Sequence, residues 1–520
     1  MNILKPPCDE AVIAAKAAVS PCSEQLGPWI LAATILGSSM TFIDGTVVNV
    51  ALPALQSHLN ATAIDVQWVV EAYALFLAAL LLPGGSLGDL FGRRLIYSLG
   101  VAIFSLASLW CGLAPNIRQL IIARAIQGIG GALLVPGSLA IISASFAEKD
   151  RGQAIGTWSG STAITTALGP VMGGWLIEHV SWRAIFFLNL PIAAVVLFLV
   201  LRFVPESRDP ESKRLDLSGA ALATISLGTI VYGLIESPRL GFRSPVVMSA
   251  LAVGVCTFAA FIAVEGYKRS PMMPLSLFRS RDFAGANLLT LLLYAALVGT
   301  LFFFPLNLIQ VQGYSPTAAG AAILPFVLIM FLLSRWSGGL VKRYSSRLPL
   351  VVGPIIAAVG FALFLRTGVG DSYWTTFFPA VTVLGIGMAI TVAPLTTTVM
   401  NSVKQSHAGI ASGINNAVSR TAGLLAIAVF GVIMFRSFNA CLDNSLNQLM
   451  LPPDVLGFLN AERIKLAAID IPSNIGEATR IAIRQTVDQC FVFGFRRVML
   501  IGTSLALGSA VAAAVTIRNR

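Results

Sequence analysis

Long apolar runs broken by short polar segments dominate the chain. Fourteen of them approach or exceed the 20 or so residues that a helix needs to cross a hydrocarbon core. They lie near 29–51, 66–87, 95–114, 119–141, 153–177, 184–203, 217–236, 246–265, 284–310, 318–341, 349–367, 373–399, 409–435 and 493–516. The pattern predicts an all-α integral membrane protein of 14 transmembrane helices. An even number of crossings puts both termini on one side. One connection, 437–492, is long, and its segments Glu462–Asp470 and Gly476–Cys490 carry apolar residues at helical spacing.

Composition sharpens this picture. Of 520 residues, 56% are hydrophobic and 11% charged, against roughly 25% charged in soluble domains. A net charge of +11 would suggest nucleic acid in a soluble protein, but cytoplasmic loops of membrane proteins also accumulate Lys and Arg. With both termini inside, the short inside segments hold 20 Lys and Arg and the short outside loops 5. Seven more fall in 436–497, and Arg124, Arg335 and Arg420 lie within spans. The basic balance therefore needs no nucleic-acid partner. Residues 1–28 contain Lys5, Asp9, Glu10, Lys16 and Glu24, which is a cytoplasmic tail rather than a signal peptide; 517–520 form a second cytoplasmic tail. The six cysteines show no C-x-x-C spacing, so no metal site is indicated. Cys441 and Cys490 bracket the long connection in what would be an oxidising compartment. A disulfide between them is open, although nothing in the sequence brings the two ends together.

Between spans two and three runs Gly85-Ser-Leu-Gly-Asp89-Leu-Phe-Gly92-Arg93-Arg94. It resembles the G-x-L-x-D-x-x-G-R-[KR] loop of the major facilitator superfamily, in which a tight turn sets an acid beside two arginines at the cytoplasmic face and gates the transport cycle. A degraded copy follows span ten, where Gly338, Leu340 and Arg347 match and Lys342 replaces the acid. Two copies imply two homologous six-helix halves with two extra central helices. The expected domains are a bundle at 29–203, a linker with two spans at 204–283, and a bundle at 284–516 that includes the extracytoplasmic loop 437–492. Arg124-x-x-Gln127-Gly128-x-Gly130 resembles a further motif of the superfamily. Gly156 with Gly169-Pro170-x-x-Gly173-Gly174 resembles the antiporter motif of its exporters, with Thr165 where the family has Gly. Asp44-x-Thr46-x-x-Asn49-x-Ala-Leu-Pro53, the Trp182–Pro191 stretch and Gly413-Ile-Asn-Asn416-x-x-x-Arg420 are similar to the fourteen-helix drug:proton antiporter branch. The resemblance covers about residues 29–516.

Depth can be read without any family. At 1.5 Å per residue, Asp44 lies about 22 Å from the inner end of span one. Glu71 and Arg124 lie about 9 Å below the outer ends of spans two and four, so in a core of about 30 Å all three share one level. Two carboxylates and a guanidinium there can offset one another's burial and make a proton site. Asp44 and Glu71 are the proton-coupling candidates, with Arg124 tuning them; the alternative is a permanent Asp44–Arg124 pair that bolts two helices together. His58, His179 and His407 fall in loops or at span ends.

Candidate cavity residues are Phe42, Trp68, Tyr73, Gln127, Tyr294, Phe303, Asn416 and Arg420. The resemblance implies a proton-coupled exporter of amphipathic small molecules in a cell inner (plasma) membrane. Its partners would be a small-molecule substrate, protons, the lipid bilayer and accessory envelope proteins. No cofactor is expected beyond the proton motive force, and neither enzymatic activity nor a metal site. An exporter dedicated to one metabolite, siderophore or lipid is the nearest alternative. A non-transporting scaffold or sensor would not need Asp44 and Arg124.

Overall fold

A computed structural model of the chain describes residues 26–208, 216–268, 271–403, 408–449, 451–472 and 475–518. Most of the N-terminal tail, the end of the C-terminal tail, and the side chains of Lys342 and Arg343 lie outside the described residues. Among the described residues there are helices and no strands. The helices are α1 (Gly27–Leu59), α2 (Ala63–Phe91), α3 (Arg93–Leu113), α4 (Ile117–Ser145) and α5 (Glu148–His179), then α6 (Ala184–Phe203). Next come α7 (Leu217–Leu240) and α8 (Pro245–Tyr267). They are followed by α9 (Arg281–Val311), α10 (Leu324–Tyr344), α11 (Arg347–Leu363), α12 (Tyr373–Asn401) and α13 (Ala408–Leu446). A short α14 (Pro453–Glu462) precedes α15 (Glu477–Thr516).

Thirteen segments among the described residues are long and apolar enough to cross a bilayer. The fourteenth expected span, 153–177, is the less apolar α5, which is nevertheless an unbroken helix of 32 residues. It tolerates its Ser and Thr because the hydroxyls turn back onto its own carbonyls, as Thr166 does onto Thr162 at 2.7 Å.

The long connection differs from a loop with helical pieces. α13 is 39 residues long and α15 is 40, so both spans run on as helices into 437–492. Cys441 and Cys490 are joined by a disulfide, with their Cα atoms 5.4 Å apart.

The helices contact one another in two units. One holds the residues to Val48 with Ala72–Leu227 and Thr257–Pro274; the other holds Asn49–Glu71, Gly228–Cys256 and Leu275–Arg520. This partition cuts through α1, α2, α7 and α8 and differs from the bundle boundaries expected above. In the first unit Tyr97, Val101, Phe104, Leu134 and Val196 are buried together. Helices α3 and α4 meet through glycine: a Cβ on Gly130 would lie 2.5 Å from the backbone nitrogen of Phe104. Small residues allow such approach where no hydrophobic force drives helices together. In the second unit Phe304 packs against Phe364 and Phe377, with ring centroids 5.5 and 6.0 Å apart. Large apolar side chains such as Phe198, Leu332 and Val515 are exposed, as befits a surface solvated by lipid tails.

Candidate functional site

The buried polar centre of the first unit is built from four helices. Asp44 on α1 and Arg124 on α4 are both buried and form an ion pair through Oδ2 and Nη1. Gln127, one turn on from Arg124, closes the network. Its Oε1 accepts from Arg124 Nη1 at 2.6 Å, and its Nε2 donates to Asp44 Oδ1 and to Ser108 Oγ on α3, each at 2.8 Å. Ser108 Oγ also accepts from Asn189 Nδ2 on α6 at 3.2 Å. The face of Tyr73 lies 4.2 Å from the Arg124 guanidinium carbon, a cation–π contact.

Two isolated charges at this depth would be expensive, and here each is partnered. The arrangement also does more than pair them. Gln127 Oε1 and the Tyr73 ring give the guanidinium neutral partners besides Asp44.

Glu71 differs. Its side chain is fully buried, and neither carboxylate oxygen has a hydrogen-bond partner among the described residues. On the same helix Trp68 Nε1 donates to Glu236 Oε1 of α7 at 3.0 Å, and Arg239 pairs with the other oxygen of Glu236 at 2.7 Å. Phe42 and Tyr294 are half-buried, whereas Phe303 is buried beside Phe302 with ring centroids 4.9 Å apart. Arg420 is half-buried. Asn416 is exposed and bonds the carbonyl of Ser412 in its own helix, while its neighbour Asn415 reaches α9, donating to Asn287 and Thr290 at 3.1 and 2.8 Å.

The loop of paired arginines is a joint between α2, α3 and the end of α6. Arg93 binds Asp89 at 2.8 Å. The carboxylate of Glu206 accepts from the backbone N–H groups of Arg94 and Leu95 at 3.0 and 3.2 Å, and so caps the start of α3. Gly92 turns the chain with φ 121°, and a Cβ there would lie 2.7 Å from the carboxyl carbon of Glu206. Gly92→Ala should therefore lower stability by about 1–3 kcal/mol and move the melting temperature of purified protein down. An unchanged melting temperature would show that the Glu206 cap is dispensable.

The glycines of α5 face α1 unequally. A Cβ on Gly173 would lie 1.8 Å from Val47 Cγ2 and one on Gly169 2.3 Å from Thr46 Oγ1, whereas a Cβ on Gly156 would meet nothing within 4 Å. Gly174 is buried, and Pro170 sits inside the helix without breaking it.

Against this geometry, residues 34–427 match the sequence pattern of the Major Facilitator Superfamily. The chain belongs to that superfamily. It is 35% identical over 483 residues to the multidrug resistance protein Stp of Mycobacterium tuberculosis, covering 91% of this chain and 89% of Stp. It is 31% identical to the multidrug efflux pump LfrA of Mycolicibacterium smegmatis, over 94% of this chain and 96% of LfrA. Identity to the tetracenomycin C resistance and export protein of Streptomyces glaucescens is 34%, over 78% and 76%. In fold it resembles a bacterial homolog of the human lysosomal transporter Spinster, with a TM-score of 0.65 at 19% identity, covering 94% of this chain and 98% of that one.

Within this superfamily fold, the pair α7–α8 carries polar chemistry of its own. Asp216, just before α7, accepts from Lys268 and from the Gly219 N–H. Burial works to raise its carboxyl, but the bonds from Lys268 and Gly219 outweigh that and hold it down at about 2. Sequence reasoning passed over Ser108, Asn189, Glu206 and Glu236. Only Asn189 had a signal, its place in the Trp182–Pro191 stretch.

Proposed function

We propose that this chain is a proton-coupled exporter of amphipathic small molecules that works by alternating access. The observation that carries the reading is the Asp44–Arg124–Gln127 network, a buried carboxylate whose cationic partner has a second acceptor within 2.6 Å. Such a carboxylate can exchange its ion pair for a proton while the guanidinium keeps a neutral acceptor. Glu71 is the second proton carrier: without a partner, burial of its charge is costly and burial of its neutral carboxyl much less so. The names of Stp and LfrA, multidrug resistance and multidrug efflux, support a broad substrate range. The distribution of Lys and Arg supports cytoplasmic termini, and the likeness to bacterial export proteins supports a plasma (inner) membrane location. The two copies of the arginine loop support two six-helix bundles with α7 and α8 inserted between them.

A narrower reading has its own support, because other relatives are named for single compounds, such as the cephamycin export protein of Amycolatopsis lactamdurans at 35% identity. Accumulation of a fluorescent lipophilic cation in cells stripped of their own pumps separates the two. Expression should lower accumulation, and a protonophore should restore it. Protonophore-resistant efflux would sink proton coupling. No efflux from protein shown to be folded and in the membrane would sink the broad range and leave the single-compound exporter.

A further inference from the structure

The residue one turn before Glu71 on the same face of α2 is Gln67. It is 3% exposed, and its Nε2 donates to the backbone carbonyl of Ile427 on α13 at 2.8 Å. One turn further along α13, Gly431 leaves room for the amide: a Cβ there would lie 2.6 Å from Gln67 Nε2 and 2.8 Å from Oε1. Positions four apart share a helix face, so Gln67 and Glu71 stack on α2 as Ile427 and Gly431 do on α13. Gln67 lies about 6 Å from the start of α2 and Glu71 about 12 Å. Gln67 and its contact with α13 therefore lie between Glu71 and that end of α2.

We propose that the Gln67–Ile427 bond, seated in the notch at Gly431, is the outer gate over Glu71, and that it must part before this carboxyl meets extracytoplasmic water. The inference rests on the reading of Glu71 as a proton carrier and of the Gln67 end as the outer end. A side-chain amide bound to a main-chain carbonyl seals two helices without placing a charge in the membrane. A single net hydrogen bond is also weak enough to open on every cycle. The carboxyl beneath it has no hydrogen-bond partner among the described residues, so no second bond has to break before it can take up a proton. Gln67 is thus a positioning residue, acting through Glu71.

The test is chemical labelling of Glu71. A membrane-impermeant carbodiimide with an amine nucleophile is added to intact cells, and modification of the Glu71 peptide is followed by mass spectrometry. Two variants should speed labelling: Gln67→Met, which keeps volume and removes the bond, and Gly431→Leu, which fills the notch. Gln67→Met should raise the rate about two- to tenfold, the range for one net hydrogen bond, and Gly431→Leu by more. Unchanged labelling in both variants, each shown to reach the membrane and melt as wild type does, overturns the gate. So does labelling that rises only when the reagent is admitted to the cytoplasm. Efflux by Glu71→Gln, measured beside these, addresses the underlying reading separately. If that variant still exports in a protonophore-sensitive way, Glu71 is no proton carrier, whatever the labelling shows about access.

Discussion

Asp44→Asn should abolish protonophore-sensitive efflux and lower stability by about 3–5 kcal/mol, because it leaves a buried guanidinium without a counter-charge. Gln127 and Tyr73 soften that loss without replacing a negative charge. The double variant Asp44→Leu with Arg124→Met separates the two roles of the pair. Removing both charges together should return the melting temperature to the wild-type value or above, since well-packed apolar residues commonly equal or exceed a buried ion pair. Transport should stay absent. A double variant that melts normally and still exports against a proton gradient would reduce Asp44–Arg124 to a bolt between α1 and α4.

The second large effect lies in the glycines of α5. Gly173→Ala drives a methyl to within 1.8 Å of the present position of Val47 Cγ2, and overpacking of this kind costs about 1–3 kcal/mol. Efflux should fall sharply, because α1, which carries Asp44, must move to admit the methyl. Val47→Ala in the same chain should restore both melting temperature and transport by vacating the contested space. Gly156→Ala, from the same motif, meets open space and should be neutral or slightly stabilising, as Ala is the better helix former by about 1 kcal/mol. If both glycines tolerate alanine equally, close packing of α5 on α1 is not what the motif provides.

The spans were legible because crossing a bilayer demands runs of about 20 apolar residues, a constraint that leaves little choice of fold. The common depth of Asp44 and Arg124 followed from helical rise alone, and the structure joins them. Rotation about the helix axis was harder to read. Asn416 stood out beside Arg420, yet Asn415, 100° around the helix, is the residue that reaches α9. Phe303, one of three consecutive phenylalanines, turns into the core. Glu206 was invisible because it follows the end of α6, and its partners are backbone N–H groups at a helix start 112 residues away. Glu236 sits at the end of an apolar run, where an acid reads as a solvated boundary; its bond to Trp68 depends on tertiary packing that no local pattern encodes. The approach of Cys441 to Cys490 required that both flanking helices continue beyond the expected spans, and their polar extensions do not announce this.

Those extensions have a mechanical consequence. At 1.5 Å per residue, α13 and α15 are rods of about 60 Å, roughly twice the thickness of the hydrocarbon they cross. Cys441 and Cys490, near the far end of α13 and partway along α15, fasten the two rods together. A tilt of about 5° at the base would carry the tip of a rod of this length through about 5 Å, and the covalent link obliges both to swing together. The bonded ends therefore magnify small movements at the opposite ends of the two helices, and a ligand that grips them would hold the rest by the long arm of a lever.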